Sequence, residues 1–385
     1  MKKECDIILL SYESPDLLKK CVESVLESTR VRSTLIIVDN NSRDPAVKEY
    51  LDMVHGNTSV DIEKVMSETN AGFAGGINKG MKLSDAPYVC ILNNDCVVTE
   101  GWLEEMISVA ESAKNIGLVN PQSNTFGSAP EHNVLISEYA KLLADKKGKY
   151  VELGHAIGFA CLIKREVIDR IGYLDESYKG VCYEDTDYSA KAQKAGYIAV
   201  MAEGAYVFHL EQASRRKLKD KERIYAYNKA LFETRWGRLL RVLYVDRTKD
   251  LSRGRDEVAA DYEALKFLAR QRVIVDMWVI DTREAAADHY SEMEKLTSAR
   301  HADIGVKFIR GGISDLRLVW KVLTKKKKYD AVILREGIVA PFLNFMKPVS
   351  GTRVFVLQEG RRVRSFSGET FDLNKPSLFT GGLRR

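Results

Sequence analysis

Three apolar runs in the first hundred residues each stop at a cluster of polar side chains. DIILL (6–10) runs into Ser11-Tyr12-Glu13, TLIIV (34–38) into Asp39-Asn40-Asn41-Ser42, and VCIL (89–92) into Asn93-Asn94-Asp95. Short β-rich runs alternating with helical stretches are the pattern of an α/β fold with a largely parallel sheet. In an open parallel sheet, ligands bind beyond the carboxyl ends of the strands, so the polar clusters lie where chemistry is expected.

The intervening text supports the same architecture. Ser14-Pro15-Asp16 supplies an N-cap, a proline at the first helical position and an acid near the positive end of the dipole, so a helix is expected to about Ser28. Asp44-Pro45 opens another. DIEKVM (61–66) reads as a third strand, PYVCILNND (87–95) as a fourth and IGLVNPQ (116–122) as one more, with a helix near 101–112. From about 215 to 270 the chain reads as helical and charged, with Tyr225, Tyr227, Leu231, Phe232 and Trp236 as a packing stripe. RVIVDMWVI (272–280), IGVKFI (304–309), YDAVIL (329–334) and TRVFVL (352–357) then form a second, smaller α/β unit. The expected domains are 1–240, a helical connector 241–270, and 271–385.

Composition narrows the function classes. Lys plus Arg is 59 against 54 for Asp plus Glu, and a net charge of +5 over 385 residues is too dilute for a nucleic-acid binder. The apolar run near the N-terminus is too short for a signal peptide, and no segment reaches the length that spans a bilayer. Cys5, Cys21, Cys90, Cys96, Cys161 and Cys182 form no CxxC pair, and several sit in apolar runs where a thiol serves as a small hydrophobe. A reduced, cytoplasmic protein is the expectation.

Taken singly, the candidate residues each have a plain explanation. Asp39 reads equally as a loop cap. Asp95 follows a run that should be buried, and a hard dication with oxygen ligands accounts for an acid there. NAGFAGGINKGM (70–81) has glycines at 72, 75, 76 and 80, which serve either a left-handed turn or a close approach to a diphosphate at a helix N-terminus. There is no P-loop motif. Glu184-Asp185 at a helix start is ordinarily a pair of dipole partners, but the acids follow Cys182-Tyr183 and one of them is placed to act as a general base. His209 ends AYVFH, a candidate metal ligand once Asp95 is considered with it.

Together these pieces form a recognisable series: IILLSY, IIVDNNSRD, NAGFAGGINKG, ILNNDC, GFACLIKREVIDRIGYLDE, YEDTDYSAKAQKAGY and VFH, in that order, with NKALFETRWG trailing. Residues about 5–240 resemble the inverting, family-2 glycosyltransferases of the GT-A fold, a Rossmann-like nucleotide-diphospho-sugar transferase fold, and in particular their bacterial rhamnosyltransferase-like branch. The resemblance implies that Asp39 binds the base of a UDP- or dTDP-linked sugar donor, framed by Ser11 and Tyr12. It implies that Asn70, Gly72 and Asn78 line the nucleotide side. Asn93-Asn94-Asp95 takes the place of the DxD motif, with Asp95 and His209 as ligands to Mg²⁺ or Mn²⁺. Asp185 is the implied catalytic base, with Glu184 beside it or touching the sugar. Asn93 replaces the first acid of the motif, and Glu13 stands near a position often taken by asparagine. Fewer acids suggest a metal carried largely by the diphosphate, since Mg²⁺ typically takes one or two carboxylates plus substrate phosphates.

The implied activity is sugar transfer to a saccharide or lipid-linked acceptor in surface-polysaccharide assembly. A nucleotidyltransferase would carry a glycine-rich loop after the first strand, where SYESPD has no glycine. A non-catalytic scaffold would have no need of Asp95, Asp185 and His209 together. The C-terminal unit resembles half of a GT-B enzyme or another Rossmann-like domain, with Gly311-Gly312 its one glycine pair near a helix start. KKKK (325–328) with Arg361, Arg362 and Arg364 reads as a solvated basic face or as a peripheral contact with anionic lipid at the inner face of the membrane. Oligomer contacts are a further role for this unit.

Overall fold

The computed structural model describes residues 3–131, 134–180, 182–210, 220–246, 255–281, 300–310, 329–335, 352–358, 361–365 and 368–384. The chain divides into two compact units, Met1–Trp236 and Gly237–Arg385.

In the first unit, β1 (Cys5–Ser11), β2 (Ser33–Asp39), β3 (Val60–Met66) and β4 (Tyr88–Asn93) run parallel, with β1 between β2 and β4. Beyond β4 the sheet continues through β8 (Ala160–Lys164), β6 (Ile116–Gln122), β9 (Ile198–His209) and β7 (Tyr150–Leu153). The short β5 (Cys96–Val98) pairs antiparallel with the end of β9. The α/β architecture expected from the alternating runs is therefore present, with the sheet parallel over β1–β4 and mixed beyond, where β8, β7 and β5 pair antiparallel with their neighbours.

Alternation along each strand divides the core into two layers. Ile7 and Leu9 face α1 (Pro15–Ser28), α2 (Pro45–Met53) and α4 (Trp102–Ser112), packing with Leu18, Val22, Val47, Trp102 and Met106. Ile8 faces the other side, with Ile77 and Met81 of α3 (Gly72–Leu83), Val167 of α6 (Arg165–Ile171) and Tyr188 of α7 (Glu184–Lys194). A short helix, α5 (Ile136–Leu142), precedes β7. The glycines of α3 serve this packing: a Cβ on Gly76 would lie 2.3 Å from Leu10, and one on Gly80 2.5 Å from Ile8. Only Gly72 has the left-handed backbone (φ +72°), and it faces open space. Asp44 caps α2 by accepting from the Ala46 N–H at 3.0 Å. Ser14 is also at a cap position, but with φ 86° its hydroxyl makes no capping bond, which corrects the expectation for α1.

Helix α8 (Lys221–Trp236) closes the first unit. Phe232 is buried, whereas Tyr225 and Tyr227 remain 51% and 45% exposed, so the aromatic stripe packs only in part.

In the second unit, β10 (Leu240–Asp246) is central, parallel to β11 (Val273–Asp281) on one side and to 331–334 on the other. Strand 304–310 extends the sheet beyond β11 and 353–358 extends it beyond 331–334, giving the order 3-2-1-4-5 of a doubly wound sheet. Antiparallel strands 362–365 and 370–372 follow. The core combines Val242, Tyr244, Val275, Ile333 and Phe355 with Leu265, Leu268 and Phe379. Residues 240–246 and the helix Arg255–Ala269 thus belong to this unit, where the sequence reading set a separate connector. LRVLYVD is an apolar β-rich run hidden between two charged helical stretches. Gly311, Gly312 and residues 325–328 lie outside the described residues. Among the described residues no helix is long and apolar enough to cross a membrane.

Candidate active site

The ends of β1 and β2 are knitted together by their own polar residues. Asp39 is buried, and its carboxylate accepts from the Ser42 N–H at 3.0 Å and the Ser42 hydroxyl at 2.5 Å. Glu13 accepts from the N–H groups of Arg43 and Asp44, both at 3.1 Å, so it holds the loop after β2. Ser11 is buried with its carbonyl taking the Asn40 N–H at 2.8 Å, and Tyr12 beside it is 47% exposed.

Asn40 carries the connection onward. Its amide donates to the side-chain oxygen of Asn70 at 2.9 Å and to the Gly72 carbonyl at 3.1 Å, while its own oxygen accepts from the Ala71 N–H at 2.9 Å. Asn70 also accepts from the Gly72 N–H at 2.9 Å. The start of α3 is thereby fixed against the end of β2, and Ser11, Asp39, Asn70 and Gly72 share one region. Asn78 does not join them. It is buried, donates to the Leu174 carbonyl at 2.9 Å and to Glu176 at 2.8 Å, and accepts from the Leu174 N–H at 3.0 Å. Its hydrogen bonds brace the 174–176 loop, and this corrects the expectation that it lines the nucleotide side.

Asn94 and Asp95 form the tight turn between β4 and β5, both buried. The pairing of β5 with β9 sets Cys96 opposite His209. His209 Nε2 lies 3.2 Å from Asp95 Oδ1, a buried oxygen with no hydrogen bond among the described residues. A buried carboxylate oxygen without a donor beside an imidazole nitrogen is a donor set that suits a divalent cation with oxygen and nitrogen ligands. Cys96 lies in the same group, within 4.8 Å. Its thiol, however, points to the Phe159 carbonyl at 3.5 Å, and burial pushes it well up, so the fit rests on Asp95 and His209. Burial likewise pushes up the thiols of Cys5, Cys21, Cys90 and Cys161, as expected of cysteines used as hydrophobes.

Asp185 opens α7. Its Oδ2 accepts from the Gly158 N–H at 3.0 Å, and Oδ1 accepts from Thr186 N–H at 2.6 Å and its hydroxyl at 3.1 Å. The next residue, Phe159, stacks its ring on His209 with centroids 5.2 Å apart, and its carbonyl accepts from the Asn93 N–H at 2.8 Å. Two adjacent residues, Gly158 and Phe159, therefore touch Asp185 on one side and the Asn93–Asp95–His209 group on the other. Residues from β4, β9 and α7 that are remote in sequence are brought to one place. Glu184 is buried and, with Asp185, Phe73, Ala156 and Cys161, lines a small, mainly apolar cavity.

Several residues that hold this arrangement gave little sign of it in sequence. Asn120, fully buried in β6, donates to the carbonyls of Ile157 (2.7 Å) and Ala160 (2.6 Å) and accepts from the Ile157 N–H (3.0 Å). Ser189 bridges the Ala156 N–H and the Asp185 carbonyl. Asn124 exchanges two hydrogen bonds with the His209 main chain. The only signal for Asn120 and Asn124 is a polar residue in or beside an apolar strand, and Ser189 lies in a polar helix that gives none.

Under α7, Asp187 has no exposure and accepts from Trp236 Nε1 (2.8 Å) and the Tyr178 hydroxyl (3.1 Å), with Lys191 Nζ at 2.7 Å. Arg235 bonds Asp175 at 2.5 Å. Burial opposes the charge of Asp175, but hydrogen bonds from Ser177 and Arg235 outweigh it and draw the carboxyl down to about 2.

Residues 6–172 match the family model described as glycosyl transferase family 2, all within the first unit. The chain is 21% identical over 237 residues to a low-salt glycan biosynthesis hexosyltransferase, Agl10, of Haloferax volcanii, covering 58% of this chain and 73% of that protein. It is 24% identical over 203 residues to the amylovoran biosynthesis glycosyltransferase AmsB of Erwinia amylovora, covering 51% and 65%. A Sinorhizobium fredii protein, y4gI, is 27% identical over 225 residues, which span 54% of this chain but only 24% of that protein. Among solved structures, the mannosyltransferase PcManGT of Pyrobaculum calidifontis in complex with GDP-Man and Mn²⁺ aligns with a TM-score of 0.43 at 15% identity, covering 60% of this chain and 70% of that one.

Proposed function

We propose that the protein is an inverting glycosyltransferase that moves a sugar from a nucleotide-diphospho-sugar to a saccharide or lipid-linked acceptor in surface-polysaccharide biosynthesis. The observation that carries this reading is the meeting of Asp185 and the Asp95–His209 pair across Gly158 and Phe159; Asp95, Gly158 and Phe159 lie within the 6–172 stretch that matches a glycosyltransferase family model, and Asp185 and His209 follow it.

The donor nucleotide, UDP- or dTDP-linked, lies along the ends of β1 and β2. Asp39 contacts the base, Ser11 and Tyr12 frame it, and Asn70 and Gly72 bound it at the start of α3. Asn93 and Asn94 lie beside the diphosphate. Mg²⁺ or Mn²⁺ held by Asp95 and His209 would supply Lewis acidity to the departing diphosphate. Two protein ligands leave most of the coordination to substrate oxygens and water, as Mg²⁺ requires.

Asp185 removes the proton from the acceptor hydroxyl. Its Oδ2 takes one main-chain donor and keeps a lone pair for that hydrogen bond. The acceptor oxygen forms a bond to the anomeric carbon on the face opposite the leaving group. The carbon–oxygen bond to the diphosphate breaks with its electron pair, and the proton resides on Asp185. One displacement inverts the anomeric centre and needs no carboxylate nucleophile. Burial of Glu184 beside Asp185 suits a contact to the transferred sugar.

Thermal stabilisation by a panel of nucleotide-sugars with Mn²⁺ present identifies the donor, because a ligand that binds only the native state raises its apparent stability. With that donor, Asp185→Asn is expected to lower transfer by about 10²–10⁴-fold while leaving donor binding intact. Unchanged turnover in this variant removes Asp185 from the role of base.

A further inference from the structure

Two consecutive residues ahead of Glu184-Asp185 have left-handed backbone although neither is glycine: Cys182 (φ 96°) and Tyr183 (φ 75°). Side chains with a Cβ enter that region against a steric penalty, and such conformations persist only where surrounding structure imposes them. The imposing contacts come from α8, which lies beyond the 6–172 match. Asn228 has no exposure. Its Oδ1 accepts from the Lys179 N–H at 3.0 Å, and its Nδ2 donates to the carbonyls of Lys179 and Cys182, both at 2.9 Å. On the far side, the Asp187 N–H donates to the Tyr183 carbonyl at 2.8 Å and closes the first turn of α7. The Tyr183 ring packs 5.2 Å from Phe232 and 5.4 Å from Tyr225, with its hydroxyl 3.2 Å from that of Tyr225.

The geometry points to Asn228 as a positioning residue: α8 is a latch that keeps Cys182 and Tyr183 left-handed and so fixes the direction in which Asp185 leaves the turn. The inference rests on the reading of Asp185 as the base. An amide suits the role because only it combines an acceptor with two donors, and the site uses all three. Released from the latch, the pair relaxes toward ordinary backbone, and the Asp185 carboxylate leaves its place against the Gly158 N–H.

The test uses the full chain with Asn228→Ala. Amide hydrogen exchange in the 179–187 region is expected to rise about tenfold or more, with the remainder of the first unit unchanged. Affinity for UDP with Mn²⁺ is expected to stay within about twofold. On the donor selected by the panel, kcat is expected to fall about tenfold or more at unchanged donor KM, the size of effect that misplacing a reactive group produces. Adding Cys182→Gly, which reaches left-handed backbone without the penalty, is expected to recover at least about threefold of the lost kcat. Turnover within twofold of the parent, unchanged exchange at 179–187, or no recovery in the double variant overturns the latch. Should the alanine variant not fold, Asn228→Ser is judged by the same outcomes. Failure of the base assignment is seen separately, as turnover retained by Asp185→Asn, while the exchange result stands with or without it.

Discussion

Asp95 and His209 make the sharpest residue-level demand on the site, because a carboxylate oxygen without a hydrogen bond in a buried turn is costly unless something charged or protic meets it. Asp95→Asn keeps the shape and removes the charge. It is expected to abolish the extra thermal stabilisation that Mn²⁺ gives in the presence of UDP, and full turnover of the parent in excess chelator counts against the metal role. Asp175 offers a test that depends on pH alone. A carboxyl held at about 2 in the native state stabilises it at every pH above its unfolded value near 3.9, and that contribution is lost as pH falls through about 2. After discounting for solvent around the Arg235 pair, Asp175→Asn should cost on the order of 1 kcal/mol at pH 7 and almost nothing at pH 2, measured by urea unfolding. At this scale the sequence was most informative where a polar residue interrupted an apolar run, as at Asp39, Asp95 and His209. It was least informative for Asn40, Asn120 and Asn228, whose partners are main-chain atoms of distant loops and leave no local pattern.

At the scale of elements, α3 shows how the same letters support different physics. The run NAGFAGGINKG suggested a turn or a phosphate loop, yet Gly76 and Gly80 are small because Leu10 and Ile8 press on the helix, and only Gly72 needs its backbone angle. Gly76→Ala is therefore expected to destabilise the protein by about 1–3 kcal/mol through overpacking against β1. Gly72→Ala meets no neighbour and should cost about 1–2 kcal/mol from backbone strain alone. Urea melts of the two variants distinguish the causes when Leu10→Ala is added, since a smaller neighbour relieves the first and leaves the second. Strand positions were well marked by apolar runs. β10 escaped because its seven residues lie between charged helical text, and β7 because YVEL has only four residues.

For the molecule as a whole, two units with separate cores predict two unfolding transitions by calorimetry. The division at Trp236 gives the more pointed expectation. A chain ending at Trp236 retains the Trp236–Asp187, Arg235–Asp175 and Asn228 contacts and should fold cooperatively. One ending at Asp220 loses all three and should melt several degrees lower, as judged by circular dichroism. The order of motifs along residues 5–240 made the first unit's architecture readable, because IILLSY, IIVDNNSRD, ILNNDC and VFH mark strands of one sheet and NAGFAGGINKG and YEDTDYSAKAQKAGY mark helices packed on it. The second unit's strands were largely readable too, but no cluster of polar residues at their ends announced a purpose.

The pairing of β5 with β9 has a consequence for how the protein comes into being. Asp95 is synthesised early and His209 late, and the last segment of the first sheet must be laid down before they can meet. Because chains emerge from their N-terminus and long-range pairings form slowly, the growing polypeptide carries most of its sheet without a working centre. On the proposed reading, a product that stops before residue 209 would carry the donor-lining residues Ser11, Asp39, Asn70 and Gly72 but lack one of the two side chains that hold the metal, and metal-dependent competence would be conferred in one late step of synthesis.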